Sequence, residues 1–466
     1  MKNLIFVLLT FCSVYIFGFN PQVKKKPNVI VIMTDDQGYP ELSMHGNPIL
    51  KTPNLDKLGK NSVRFKNFHV TPMCAPTRGE LLTGLDNAVN QLSNVSSGRS
   101  LLKSGIPTMG NIFGSNGYST GIFGKWHMGS NYPYRPQDRG FDESVWFPSS
   151  HIGSVSDFWG NDYFDDTYWH NGKKQKYEGY CTDIFFNESI RFIEESMDQD
   201  KPFFAYIATN TPHGPFYPKQ EDYEVLEKLF DKSKFANRKG FKSVLVKYLA
   251  MIRNIDSNVG DLVNFLETKG VIDDTIIIFL TDNGSTMGKS YFNAGMRGMK
   301  TELWEGGHRV PLFIKWKNGN FEEVGNEVEG LCRVTDIVPT LVELCGLKIS
   351  NRSSLKGMSL APILKGKKEI SKERKLIINY SRMPNFISYP IPHGQTILKK
   401  EGAVVLWKNW RLLESRELYN LENDPRQKLN VYDENPGIVQ ILEKELNRWW
   451  DSVKEDANEV QRIIIG

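Results

Sequence analysis

Four runs of apolar, mostly β-branched residues, each closing on polar ones, set the pattern of this chain. Asn28–Thr34 is apolar without alternation, which predicts a strand buried on both faces and central in a parallel sheet. It closes on Asp35-Asp36-Gln37-Gly38. Residues 118–125 predict a second strand, followed by Trp126-His127-Met128-Gly129. Phe203–Ala208 predicts a third, ending at Thr211-Pro212-His213, and residues 275–280 a fourth, ending at Thr281-Asp282-Asn283-Gly284. Between them, residues 52–58 read as a capped helix start and residues 244–266 carry apolar positions at helical spacing. Residues 130–180 show no clear period and are rich in aromatics, Asp and Gly; so long an irregular segment inside a compact domain is usually functional. Strands alternating with helices predict an α/β fold with a doubly wound, mainly parallel sheet.

The charged stretch 365–375 marks a boundary, placed at 370/371. Beyond it, residues 376–380, 402–407 and 410–413 read as short strands, residues 417–425 as turns, and residues 438–453 as an amphipathic helix. At the other end, residues 1–19 read as a secretory signal: Lys2 is followed by an uncharged apolar run too short to span a bilayer. Export is expected, to the periplasm or the medium. Lipid attachment at Cys12 is the minor route, because Leu9-Thr10-Phe11 lacks the small residues of a lipoprotein box. No other long apolar run exists, so no stable membrane insertion is expected.

Composition changes this picture little. A chain of 466 residues, 40% hydrophobic and 24% charged, has an ordinary globular make-up. A formal charge of +4 argues against nucleic acid as a partner. Five cysteines are present; setting aside Cys12 in the signal and Cys74 for chemistry leaves Cys181, Cys332 and Cys345, an odd number that does not suit a disulfide scaffold.

Four strand ends carry polar clusters, and in doubly wound sheets ligands bind beyond the carboxyl ends of the strands. One shared site explains Asp35-Asp36, Lys125/His127, His213 and Asp282-Asn283 together. Asp-Asp and Asp-Asn-Gly commonly mark turns, but turn chemistry does not explain why both close buried strands. Three carboxylates and an amide suit Ca²⁺ or Mg²⁺ rather than zinc. Lys125 and His127 are two apart, so an extended backbone points both the same way. In Cys74-Ala75-Pro76-Thr77-Arg78, Pro predicts a helix opening at Ala75 or Pro76. Cys74 then sits at its positive end and Arg78 one turn later on the same face.

The stretch Cys74-Ala75-Pro76-Thr77-Arg78-Gly79-Glu80-Leu81-Leu82-Thr83-Gly84 resembles the signature of the type I sulfatases. Arg297-Gly298-Met299-Lys300, continuing through Glu305-Gly306-Gly307-His308-Arg309-Val310-Pro311, resembles a second block of that family. The resemblance runs over residues 28–448. It implies an alkaline-phosphatase-like fold, a catalytic domain over 20–370 and a small sheet-and-helix subdomain over 371–466. It implies that a separate maturation enzyme oxidises Cys74 to formylglycine (3-oxoalanine), whose hydrate is the nucleophile. Asp35, Asp36, residue 74, Asp282 and Asn283 map onto the metal ligands, with Ca²⁺ favoured over Mg²⁺. Arg78 and Lys125 are implied to hold the deprotonated diol. His127 is implied to deprotonate its second hydroxyl so that sulfate is expelled, and His213 and Lys300 to meet the sulfate and the leaving alcohol. Departures are Thr77 for Ser, Met299 for Gly and His308 for an apolar residue; none is an implied ligand.

The expected substrate is a sulfated carbohydrate, algal or host, cleaved at chain ends. Lys125, His213, Lys300 and His151 are the candidate substrate contacts, and aromatic rings are available to stack on sugars. Within 130–180, Asp157, Trp159, Asp162, Tyr163, Asp165, Asp166 and Trp169 are either further sugar contacts or packing and turn residues. A phosphonate monoester or phosphodiester hydrolase of the same superfamily is the first alternative. A catalytically dead carbohydrate-binding homologue is the second; the complete polar set argues against it.

Overall fold

The computed structural model describes residues 26–93, 95, 101–322, 324–350, 354–380 and 398–458. Residues 1–19, where a secretory signal is expected, lie with Cys12 outside the described residues.

In chain order the main sheet contains β1 (Asn28–Thr34), β2 (Val63–His69), β3 (Ser119–Lys125), β4 (Glu143–Phe147), β5 (Thr167–His170), β6 (Lys173–Lys176), β7 (Phe203–Ala208), β8 (Thr275–Thr281), β9 (Arg309–Val310), β10 (Leu312–Lys315) and β11 (Glu327–Arg333). Ten of the strands follow the spatial order β11-β2-β10-β8-β1-β7-β3-β4-β5-β6, and β9 pairs with β2. The centre, β8-β1-β7-β3-β4, is parallel throughout. The reason is visible in β1: Val29, Val31 and Met33 enter one core and Ile30 and Ile32 the other, all with no exposure. In β8, Ile276, Ile278 and Leu280 face the first core, Ile277 and Phe279 the second. Each such side chain contributes roughly 1.5–3 kcal/mol by its burial. The 30-residue helix Lys239–Thr268 packs Met251, Ile255, Val259, Leu262 and Leu266 on the second core, one apolar stripe at helical spacing.

The remaining strands are β12 (Lys375–Asn379), β13 (Ala403–Trp407), β14 (Trp410–Leu413) and β15 (Glu417–Asn420), an antiparallel meander. One face packs on the helix Pro436–Asn458 through Val439, Leu442 and Leu446. The other face packs on Leu303 and Leu331 of the main body.

Several sequence expectations are corrected. Residues 130–180 are not irregular throughout: β4 extends the parallel sheet and the β5–β6 hairpin closes its edge. The edge strand Lys173–Lys176 is fully exposed and carries no apolar alternation to read. Glu417–Asn420 is a strand, not a turn, because Leu418 and Tyr419 are buried on opposite faces of the small sheet. Thr52 precedes the helix Pro53–Lys60 but does not cap its backbone; its hydroxyl donates to Asp56 Oδ1 at 3.0 Å. The four described cysteines are free and buried. Among the described residues, no helix is long and apolar enough to cross a membrane.

Candidate active site

Parallel neighbours β1 and β8 end side by side, so their terminal carboxylates meet. The Asp282 amide donates to the Thr34 carbonyl at 3.1 Å, and the Asp36 amide to Asp282 Oδ1 at 3.1 Å. Asp36 takes a left-handed φ of 66°, which Asp tolerates. Gly284 lets the next segment close in: a Cβ there would lie 1.9 Å from the Gly306 carbonyl, and its amide donates to the Gly307 carbonyl at 2.8 Å. That contact anchors the loop carrying Lys300, whose own amide donates to the Ser285 carbonyl at 3.2 Å.

Three cations meet three acids here, all buried except Lys300, whose side chain is 12% exposed. Lys125 Nζ donates to Asp35 Oδ2 at 2.6 Å, Lys300 Nζ lies 2.5 Å from Asp36 Oδ1, and Arg78 Nη2 donates to Asp282 Oδ2 at 2.9 Å. Arg78 Nη1 also donates to the Lys125 carbonyl at 3.2 Å. The helix Cys74–Thr83 begins at Cys74 itself, one residue earlier than expected, and its first turn puts Arg78 beside Cys74. Cys74 Sγ lies 3.6 Å from His127 Nδ1. His127 does not continue the strand; its φ of 58° turns it, so the extended-backbone argument for Lys125 and His127 fails although both reach the site.

Burial sets the titration of most groups here. Burial works to raise Asp36, but the Lys300 ammonium, with His213, holds its carboxyl well below the usual range. Asp282 is pushed up to about 7 by burial and by Asp35 beside it. Burial pushes the Cys74 thiol up. His127 is held far below 6.5 by burial and by Lys125, so it is neutral near pH 7. His213 is lowered to about 3, again by burial first. Its Nδ1 faces the Gly214 carbonyl at 2.5 Å and must donate there, leaving Nε2 unprotonated, 3.6 Å from Asp36 Oδ2.

The donor set fits a hard divalent cation. Asp35 Oδ1 and Asn283 Oδ1 are buried without a hydrogen-bond partner, while Asn283 Nδ2 donates to Asp36 Oδ1 at 3.0 Å. Ligand atoms of Asp35, Cys74 and Asp282 lie within 4.8 Å of one another. Buried oxygens without donors are what a cation satisfies.

Of the candidates in 130–180, His151 stacks on His213 with centroids 5.3 Å apart, and Tyr163 donates its hydroxyl to the His213 carbonyl at 3.0 Å. Asp157, Asp162 and Asp166 accept local backbone amides and act as turn residues, and Asp165 accepts the Gly179 amide at 2.7 Å across the segment. Trp169 packs against Trp146, and Trp159 is fully exposed. Support that sequence reasoning missed lies behind Asp36: Tyr248 donates to its carbonyl at 2.9 Å, and Ser285 donates to the buried Glu41 at 2.7 Å. Tyr248 falls on the apolar stripe of a helix and Glu41 in an aperiodic run, so neither carried a signal.

Residues 27–347 match the family described as Sulfatase, and residues 299–453 match N-sulphoglucosamine sulphohydrolase, C-terminal. The chain is 29% identical to an ulvan-active sulfatase of Formosa agariphila, over 87% of this chain and 80% of that one. It is 23% identical to an N-acetylglucosamine-6-O-sulfatase of Bacteroides thetaiotaomicron, over 95% and 90%. A crystal structure of Ps i-CgsB in complex with k-i-k-neocarrahexaose is similar with a TM-score of 0.77 and 26% identity, over 91% of this chain and 93% of that one. With most of its length in that family match, the chain belongs to the type I sulfatases of the alkaline phosphatase superfamily and is a sulfuric ester hydrolase.

Proposed function

We propose that this sulfatase removes sulfate from sulfated carbohydrate at chain ends, with residue 74 as a formylglycine and one Ca²⁺. The observation that carries this reading is the convergence of Cys74, Arg78, Lys125, His127 and Lys300 on three buried carboxylates at the end of the parallel sheet. Relatives named for ulvan and for N-acetylglucosamine sulfate support the carbohydrate class. Conversion at position 74 by a maturation enzyme, and export to the periplasm or the medium, go with that reading.

Residue 74 is a Cys in this structure, and its Sγ stands where the oxygens on the converted Cβ would be. Asp35, Asp36, Asp282, Asn283 and residue 74 would hold Ca²⁺, with Mg²⁺ the second choice, which would supply positive charge against the developing negative charge. Arg78 and Lys125 bring fixed positive charge to the nucleophile in a water-excluded pocket, where it acts strongly. Neutral His127 is placed to take a proton from the group on residue 74. Lys300 carries a proton and His213 does not, so Lys300 is the group that meets the leaving alcohol's oxygen with a donor. His151, held against His213, and His213 itself line the sulfate-facing side.

A desulfation panel tests this: sulfated oligosaccharides, an intact sulfated polymer, an aryl sulfate and an aryl phosphonate. Sulfate release from oligosaccharides above that from polymer supports chain-end action on glycans. Turnover of the phosphonate with no sulfate release from any glycan overturns it.

A further inference from the structure

Two short segments carry the carboxylates and the amide of the metal reading: residues 35–38 after β1 and residues 282–285 after β8. Their far ends touch. A Cβ on Gly38 would lie 2.3 Å from the Ser285 amide nitrogen, so the two backbones can meet only because residue 38 is Gly. One fully buried carboxylate, Glu41, holds both segments. Its Oε2 accepts the Gly38 amide at 2.8 Å, two residues from Asp36. Its Oε1 accepts the Ser285 hydroxyl at 2.7 Å, two residues from Asn283, and the Tyr291 hydroxyl at 3.0 Å. Ser285 is a junction as well: its Oγ accepts the Gly288 amide at 2.6 Å, and its carbonyl accepts the Lys300 amide at 3.2 Å. Glu41 thus ties together the backbones that carry Asp36, Asn283 and Lys300.

These three donors to Glu41 are neutral. A carboxylate withdrawn from water against neutral donors is an expensive way to fill space, and an apolar side chain of similar size would do so at lower cost. What the carboxylate adds is geometry, since its two oxygens accept from both segments at once. We infer that Glu41 is a positioning residue for the metal site, acting through Gly38 and Ser285 to fix Asp36 against Asn283 and so to set the affinity for the ion. The inference rests on the metal reading above and adds a residue that is not itself a ligand. Asn283 Nδ2 donates to Asp36 Oδ1 at 3.0 Å, so the two ligand side chains stay in register only while their segments do. Asp256 offers a matched control. It is also buried, and it also joins two elements, accepting the amides of Leu55 at 2.8 Å and Asn54 at 3.3 Å. Those partners belong to the helix Pro53–Lys60, which carries none of the site residues.

The test is Ca²⁺ titration of metal-depleted enzyme at fixed pH, with Kd read by competition against a chelator and melting curves taken without metal. Glu41→Gln keeps the size of the side chain but turns an amide NH₂ towards a donor. It is expected to raise Kd about 10–100-fold, the usual effect of losing a partner behind a metal ligand. Ser285→Ala cuts the same link from the other side and is expected to raise Kd as well. The double variant should bind no more weakly than the weaker of the two single ones, because both remove one link. Asp256→Asn is expected to lower the melting temperature and to leave Kd unchanged. An unchanged Kd in either site variant that folds, additive effects in the double variant, or a Kd raised equally by Asp256→Asn overturns the inference and leaves the metal reading standing. Wild-type enzyme that takes up no divalent ion overturns both.

Discussion

Single residues define the chemistry, and His127 illustrates how. Burial and Lys125 keep it neutral, 3.6 Å from the side chain of residue 74. His127→Ala is expected to lower kcat by about 10²–10⁴, the usual worth of a positioned base, with little change in thermal stability. Steady-state kinetics beside a melting curve check this; an equal loss of folding and of activity would speak for a packing role instead. At this scale the sequence was informative, because strand ends and the Cys-x-Pro-x-Arg spacing single out residues by type. It did not reveal that His127 reaches the site through a left-handed turn. Nor did it show that Lys300 and His213 differ in charge, since burial and partners decide both.

Elements hold those residues in place, and two contacts, one buried and one half-buried, show what that requires. Glu305, in the segment packed against Gly284, is bonded by Arg411 of β14 at 2.6 Å, both side chains almost wholly buried. Arg411→Ala would leave Glu305 as an uncompensated buried charge. A loss of about 3–5 kcal/mol in unfolding free energy is expected by denaturant titration. On the opposite flank, Glu143 at the start of β4 is bonded by His170, Asn171 and Arg191. Burial works to raise its carboxyl, but those partners bring it from 4.5 down to about 2. A depressed carboxylate stabilises the fold above its unfolded value and loses that contribution as pH falls from about 4.5 to about 2. Melting curves of wild type and Glu143→Gln should therefore differ at pH 6 and converge towards pH 2; a gap that stays constant would contradict this. β1, β7 and β8 were legible because both faces are apolar. β5 and β6 were not, because an exposed, Lys-rich hairpin has no period to read. The ion pair Glu305–Arg411 joins residues 106 apart, which no local pattern announces.

At the scale of the whole molecule, two cores around a parallel sheet, with a small sheet docked through Leu303 and Leu331, press three carboxylates together. Carboxylates this close stabilise a bound cation, and a cation that binds only the folded state stabilises the fold in turn. Chelation is expected to lower the melting temperature, and added Ca²⁺ to restore it; an unchanged melting temperature in metal-free protein would contradict the metal assignment. The overall architecture was readable because strand runs alternate with helical ones. The small sheet begins at Lys375. The central claim is that residue 74 does its work as a formylglycine, and one mass measurement addresses it most directly. The peptide from Asn67 to Arg78 of enzyme that is turning over a sulfate ester should be about 18 Da lighter than its Cys form, one sulfur and two hydrogens exchanged for one oxygen. Fully active enzyme whose peptide carries only the unmodified Cys mass would contradict the account.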